Sequence, residues 1–157
     1  MSLGRKDVAE MTMTIREALS SDRDALLDIW LRSVRATHTF LTEQNIQALL
    51  PEVRDIAFAK LELWVLCSGA RAIGFLGLSG SKVEALFLAP ESLRLGGGRM
   101  LLDHARRRKG PLTADVNEQN PEAVRFYEAC GFTVTGRSQM DSNGRPFPLL
   151  HMREKPV

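Results

Sequence analysis

Leu86-Phe87-Leu88-Ala89-Pro90-Glu91-Ser92-Leu93-Arg94-Leu95-Gly96-Gly97-Gly98-Arg99 is the stretch on which the fold turns. An apolar strand ends at Ala89, Pro90 turns the chain, and three glycines open a helix. Residues without a Cβ let backbone N–H groups approach a ligand, and a helix N-terminus adds positive potential, so the segment suits a phosphate or diphosphate. Arg94 and Arg99 add charge-assisted donors. Two phosphate motifs fail here. A Walker A loop needs Gly-Lys followed by Ser or Thr, and this loop continues Gly98-Arg99-Met100. A Rossmann fingerprint needs a third glycine at position 101, which is Leu, and a parallel βαβ unit.

Upstream, Leu63–Cys67, Ala72–Leu78 and Val83–Ala89 read as short apolar strands, with turns at Ser68-Gly69 and Ser79-Gly80 that predict an antiparallel meander. A strand at Met13–Arg16 precedes them. A helix is expected from Ser21, with Ser21 and Asp24 at capping-box-like spacing and Leu26, Ile29, Trp30, Val34 and Thr37 on one face. Thr42 is expected to cap a second helix, and Pro51 to open a third that turns Val53, Ile56 and Ala57 inward. Downstream, a helix over Gly97–Lys109 is followed by a strand over Pro111–Val116. The next helix is capped by Asn120, has Pro121 in its first turn and stops at Gly131. Strands Phe132–Met140 and Phe147–Arg153 flank Asn143-Gly144, a hairpin signal. The sum is a mixed α/β (α+β) sheet of seven strands packed by helices.

The chain has 157 residues, 44% hydrophobic and 25% charged, with a net charge of +2. That supports one core and one domain over residues 13–155, behind a polar stretch over 1–12 read as a disordered tail. So small a charge argues against nucleic acid as partner. No apolar run reaches the roughly 18 to 20 residues that cross a bilayer, which argues against a membrane. Cys67 and Cys130 read as buried small hydrophobes, not as a disulfide framework, so a reducing cytoplasm is expected. The three histidines and two cysteines lack metal-ligand spacing, and no metal is expected. Gly77-Leu78-Ser79-Gly80-Ser81 falls short of a nucleophile elbow, since Ser81 replaces the closing glycine.

A second stretch, Asn117-Glu118-Gln119-Asn120-Pro121-Glu122-Ala123-Val124-Arg125-Phe126-Tyr127-Glu128-Ala129-Cys130-Gly131-Phe132, completes a pattern with the first. Together they resemble the GNAT superfamily of acetyl-CoA-dependent N-acetyltransferases. Leu93 to Gly98 matches that family's diphosphate loop, with Leu93 where the family usually carries Gln or Arg and Arg94 expected to cover the missing donor. Asn120, Ala123, Phe126, Tyr127, Gly131 and Phe132 match its later motif. Trp30, Ser33-Val34, Ala36-Thr37-His38, Phe40-Leu41 and residues 146–150 look most like a small bacterial branch of the family.

The resemblance implies a mostly antiparallel seven-stranded sheet whose fourth and fifth strands splay, and direct transfer of an acetyl group to a primary amine without an acyl-enzyme. It implies that Leu86, Phe87 and Leu88 pair with the pantetheine arm, and that one N–H there polarises the thioester, an interaction worth about 3 to 4 kcal/mol. The loop Arg94, Leu95, Gly96, Gly97, Gly98, Arg99 would hold the diphosphate, and Asn120 the arm. Tyr127, the only tyrosine, would be the general acid, set against ordinary helix packing of the Phe126-Tyr127 pair. Glu84, before Asp115, is the preferred proton acceptor, each set against a plain ion-paired strand carboxylate. His38 and Trp30 are acceptor-side candidates; a capping or surface role for His38 and a core role for Trp30 compete. The acceptor is an amine on a small molecule, a peptide or a protein, and a homodimer is allowed. The alternative of another class is a catalytically silent acyl-CoA-binding or interaction module.

Overall fold

The computed structural model describes residues 13–155, so the expectation for residues 1–12 lies outside the described residues. Seven strands form one sheet: β1 Met13–Glu17, β2 Glu62–Ser68, β3 Arg71–Ser79, β4 Lys82–Leu88, β5 Thr113–Asn117, β6 Phe132–Ser138 and β7 Leu149–Glu154. Their order is β1-β2-β3-β4-β5-β7-β6. Every neighbouring pair is antiparallel except β4 with β5. The mostly antiparallel mixed sheet read from the sequence is therefore present.

Helices cover both faces. α1 (Arg23–Thr37) and α2 (Glu43–Glu52) lie on one, α3 (Gly97–Lys109) and α4 (Pro121–Ala129) on the other. β2 shows why its residues are apolar without a break: Trp64 and Leu66 face the α3 layer while Val65 and Cys67 face the α1 layer, all buried. In α1 the expected face, Leu26, Ile29, Trp30 and Val34, is buried with Ser33. Cys67 is buried as expected, whereas Cys130 is half-buried; both are free thiols.

Three local expectations are corrected. The helix does not start at Ser21. A 3-10 turn over Ser20–Asp22 comes first, and α1 begins at Arg23. Its anchor is the Asp22 carboxylate, which accepts from the Leu19 N–H at 2.7 Å and pairs with Arg16. Thr42 caps α2 as expected, exchanging hydrogen bonds with Asn45. Pro51, however, sits inside the last turn of α2 and opens no third helix. Its missing N–H removes a helical bond, and the chain widens into a π-helical turn over Val53–Ala57 before a last turn at Phe58–Lys60. Phe58, not Ile56, is the residue turned inward; Ile56 is half exposed. Finally, Asn143-Gly144 does not form a two-residue hairpin. β6 ends at Ser138 and β7 starts at Leu149, and the loop between is folded on the Asp141 carboxylate, which accepts from the Asn143 and Arg145 N–H groups. Arg145 then ties this loop to Glu52 of α2.

Candidate active site

β4 and β5 pair only at Lys82 with Thr113 and Val83 with Ala114. Among the described residues, the strand from Glu84 to Leu88 has no partner on that side. The cause is legible on its other edge. Against β3, Gly77 faces Ala85 and Leu78 faces Val83, so Glu84 is the extra residue of a bulge. A bulge bends its strand and breaks strict alternation. Val83 therefore shares the α3 face with Leu86 and Leu88, while Ala85 and Phe87 face α1. Glu84 does not simply share the face of Leu86 and Leu88, as alternation predicts. It stands at the fork and lines cavities on both sides.

The parting opens a cleft of about 710 Å³. One wall is β4 from Val83 to Leu88, and the other is Asp115–Asn117 of β5 with Asn120 and Tyr127 of α4. Leu93, Arg94 and Gly96–Arg99 close one end, and Ser33, Thr37 and His38 of α1 the other.

At the loop end, Arg94 and Gly96 both have positive φ, +68° and +87°. Gly96 is the N-cap of α3, and the Met100 N–H is the first to find a helical carbonyl, that of Gly96. The N–H groups of Gly97, Gly98 and Arg99 therefore end at the cleft without helical partners. Gly97 and Gly98 are glycine for packing reasons as well. A Cβ on Gly97 would lie 2.5 Å from Leu66 Cδ2, and one on Gly98 2.9 Å from the Phe126 ring. Both vectors point into the protein.

Asn120 caps α4, its Oδ1 accepting from the Ala123 N–H at 3.2 Å. Tyr127 is buried two helical turns further on, edge-on to Phe126 at 5.4 Å and Phe132 at 5.1 Å. Burial pushes its phenol well above the usual value, so the hydroxyl keeps its proton.

At the fork, Lys82 Nζ lies 2.8 Å from Asp115 and 3.5 Å from Glu84. Asp115 also meets His151 Nδ1 at 2.6 Å, and His151 Nε2 meets the Ser138 hydroxyl at 2.7 Å. Partial burial alone would raise the Asp115 carboxyl; the bonds from Lys82 and His151 outweigh it and hold the group below its usual value. His38 caps the end of α1 and is half-buried in the cleft rather than a surface residue. Burial lowers its imidazole to about 4, so it is neutral at pH 7.

The structure thus brings Glu84, Leu86, Phe87, Leu88, Arg94, Gly96, Gly97, Gly98, Arg99, Asp115, Asn120, Tyr127 and His38 to one cleft. Two candidates stand apart. Leu95 is half-buried outside it, and Leu93 lines it instead. Trp30 is a core residue, 5% exposed, at the base of a second cavity of about 430 Å³ that shares Glu84, Ala85 and Phe87 with the cleft. Thr37, Lys82 and His151 are site residues that the sequence reading does not single out as such. Lys82, two residues before Glu84, carried a local signal; His151 carried none.

The family model for the acetyltransferase (GNAT) domain matches residues 33–153. The chain belongs to the GNAT family. This GNAT protein is similar to the peptidyl-lysine N-acetyltransferase YjaB of Escherichia coli K12, with 41% identity over 90% of this chain and 97% of that one. It is 32% identical to the peptidyl-lysine N-acetyltransferase YiaC of the same organism, over 84% of this chain and 91% of the relative. The solution structure of apo YjaB from Escherichia coli matches with a TM-score of 0.85 at 40% identity, over 92% and 99% of the two chains. At 23% identity and a TM-score of 0.71, the fold is also that of PaiA N-acetyltransferase from Thermoplasma acidophilum, solved in complex with coenzyme A, over 92% and 99% of the chains. The GNAT fold and the likeness to the small bacterial branch both hold, and the protein is an acetyl-CoA-dependent N-acetyltransferase.

Proposed function

We propose that this enzyme acetylates the ε-amine of lysine in a peptide or protein, with β4 and β5 gripping the donor and Glu84 and Tyr127 handling protons on either side of it. The observation that carries the reading is the unpaired run Glu84–Leu88, which opens one cleft holding a carboxylate at the fork and a buried phenol on α4. The acceptor class is supported by the names of the two relatives, which cover nearly their whole length with this chain.

The residues fit the donor on physical grounds. Bare amides at the start of α3, with Arg94 and Arg99 beside them, suit a diphosphate. The unpaired edge of β4 at Leu86, Phe87 and Leu88 offers backbone groups to an extended arm, which Asn120 meets from α4. Acetyl-CoA, when bound, supplies the acetyl group as a thioester. A lysine amine, with a reference pKa near 10.4, costs roughly 4 to 5 kcal/mol to deprotonate at pH 7. Glu84, with its side chain about one-third exposed, takes that proton directly or through water. Tyr127 donates its hydroxyl proton to the departing thiolate. Two free cysteines, and no helix among the described residues long and apolar enough to cross a membrane, support work in a reducing cytoplasm.

The test is thiol release from acetyl-CoA with lysine peptides, peptides bearing only a free α-amine, and small polyamines. Saturable turnover on the lysine peptides is expected. Preference for another amine would replace the acceptor, and coenzyme binding without thiol release for any amine would leave a silent module.

A further inference from the structure

His38 lines the cleft, and two hydrogen bonds decide which of its ring nitrogens is left bare. The Thr37 hydroxyl has one proton, and it goes to the Ser33 carbonyl at 2.8 Å, the back-bond that threonine makes within a helix. The same oxygen lies 2.8 Å from His38 Nδ1. With its proton spent, that oxygen accepts here, so Nδ1 carries hydrogen and Nε2 keeps its lone pair.

The ring is held by aromatic neighbours: Phe40 at 5.5 Å from the turn after α1, and Phe87 at 6.2 Å from the unpaired part of β4. Titratable and charged groups that share the cleft are Glu84 on β4, Asp115 on β5, Glu122, Arg125 and Tyr127 on α4, and Arg94 and Arg99 at the loop end. Burial is what keeps the imidazole uncharged.

We propose that His38 Nε2 is a hydrogen-bond acceptor for the attacking amine, presented in that tautomer by the Thr37 hydroxyl. The inference rests on the lysine-acetylation reading. A neutral primary amine has two N–H bonds and one lone pair. With one N–H on Glu84 and the other on His38 Nε2, the lone pair is the part left to attack. A second carboxylate in this place would hold the amine as its ammonium, which has no lone pair; a neutral acceptor takes an N–H without doing so. Thr37 is then a positioning residue, acting through His38.

The experiment combines kinetics on a lysine peptide with acetyl-CoA, calorimetry of coenzyme A binding, and nitrogen-resolved NMR of the His38 ring. His38→Phe should lower kcat/KM for the peptide about tenfold, the worth of one hydrogen bond, with coenzyme A affinity within about twofold. His38→Gln, whose carbonyl still accepts, should lose less. Thr37→Val should mix the ring tautomers and lose part of the rate, and Thr37→Ser should restore both. Full activity of His38→Phe beside an active wild type would overturn the inference alone, as would a wild-type ring protonated at Nε2. Absence of thiol release from the wild type with every amine would instead remove the acetyl-transfer reading, and this one with it.

Discussion

Lys82 Nζ lies 2.8 Å from Asp115 Oδ2, tying β4 to β5 across the Val83–Ala114 rung, the last before the strands part. The other oxygen of Asp115 is taken by His151. Asp115 therefore has no idle oxygen to take up a proton, whereas among the described residues Glu84 is met only by the longer contact from Lys82. Glu84→Gln is expected to lower kcat on a lysine peptide about 100-fold, the scale of general-base catalysis, and Asp115→Asn less than about tenfold. Steady-state rates of the two variants settle the ranking; the reverse order would make Asp115 the base.

Tyr127 joins burial to a free proton. Edge contacts with Phe126 and Phe132 fix the ring, and burial keeps the phenol protonated through the neutral range. Tyr127→Phe preserves those contacts and removes only the hydroxyl. Turnover should fall about 100-fold while calorimetric coenzyme A affinity stays within about twofold. An equal loss of affinity would assign the residue to packing.

How far the sequence spoke for itself depended on the range of the signal. The Asn120-Pro121 signal and the Thr42 signal are local, and both residues cap their helices as read, Thr42 with Asn45 as its partner. The place of Pro51 is not legible locally, because its tolerance in a helix depends on what the following turn packs on, here Phe58 in the core. The Glu84 bulge is a register between two strands, so the residues of β4 alone do not contain it. The Lys82–Asp115–His151 chain joins β4, β5 and β7, and no local pattern announces it. The motif places Leu95 with the loop, yet the chain turns at Arg94 and Gly96, both of positive φ, and it is Leu93 that lines the cleft.

The glycines of the loop make a prediction about stability as well as binding. Gly97 abuts Leu66, which is fully buried, so an added methyl has no room without moving the core. Gly97→Ala should destabilise the fold by about 1 to 3 kcal/mol, the usual cost of overpacking. Gly98→Ala meets the rim of the Phe126 ring, a side chain that lines the cleft, and should weaken coenzyme A binding while costing less stability. Urea unfolding beside calorimetry separates the two. A stable Gly97→Ala that fails to bind would show the first turn of α3 to be set by its ligand, not by Leu66.

Acid stability should report the start of α1. Asp22 is held at about 2, chiefly by its bonds from Arg16, with the Leu19 N–H adding and burial opposing. The unfolded carboxyl sits near 3.9. Because the folded value is the lower one, the ion pair stabilises fully above about pH 4, and its contribution is lost as pH falls toward 2. Asp22→Asn removes this contribution while leaving an amide oxygen that can still accept from Leu19. The variant should therefore melt below the wild type at pH 7, and the two melting curves should converge between pH 4 and 2. Curves that stay parallel across that range would mean that Arg16 does not engage the carboxylate in solution, and that the 3-10 turn before α1 is held by its backbone alone.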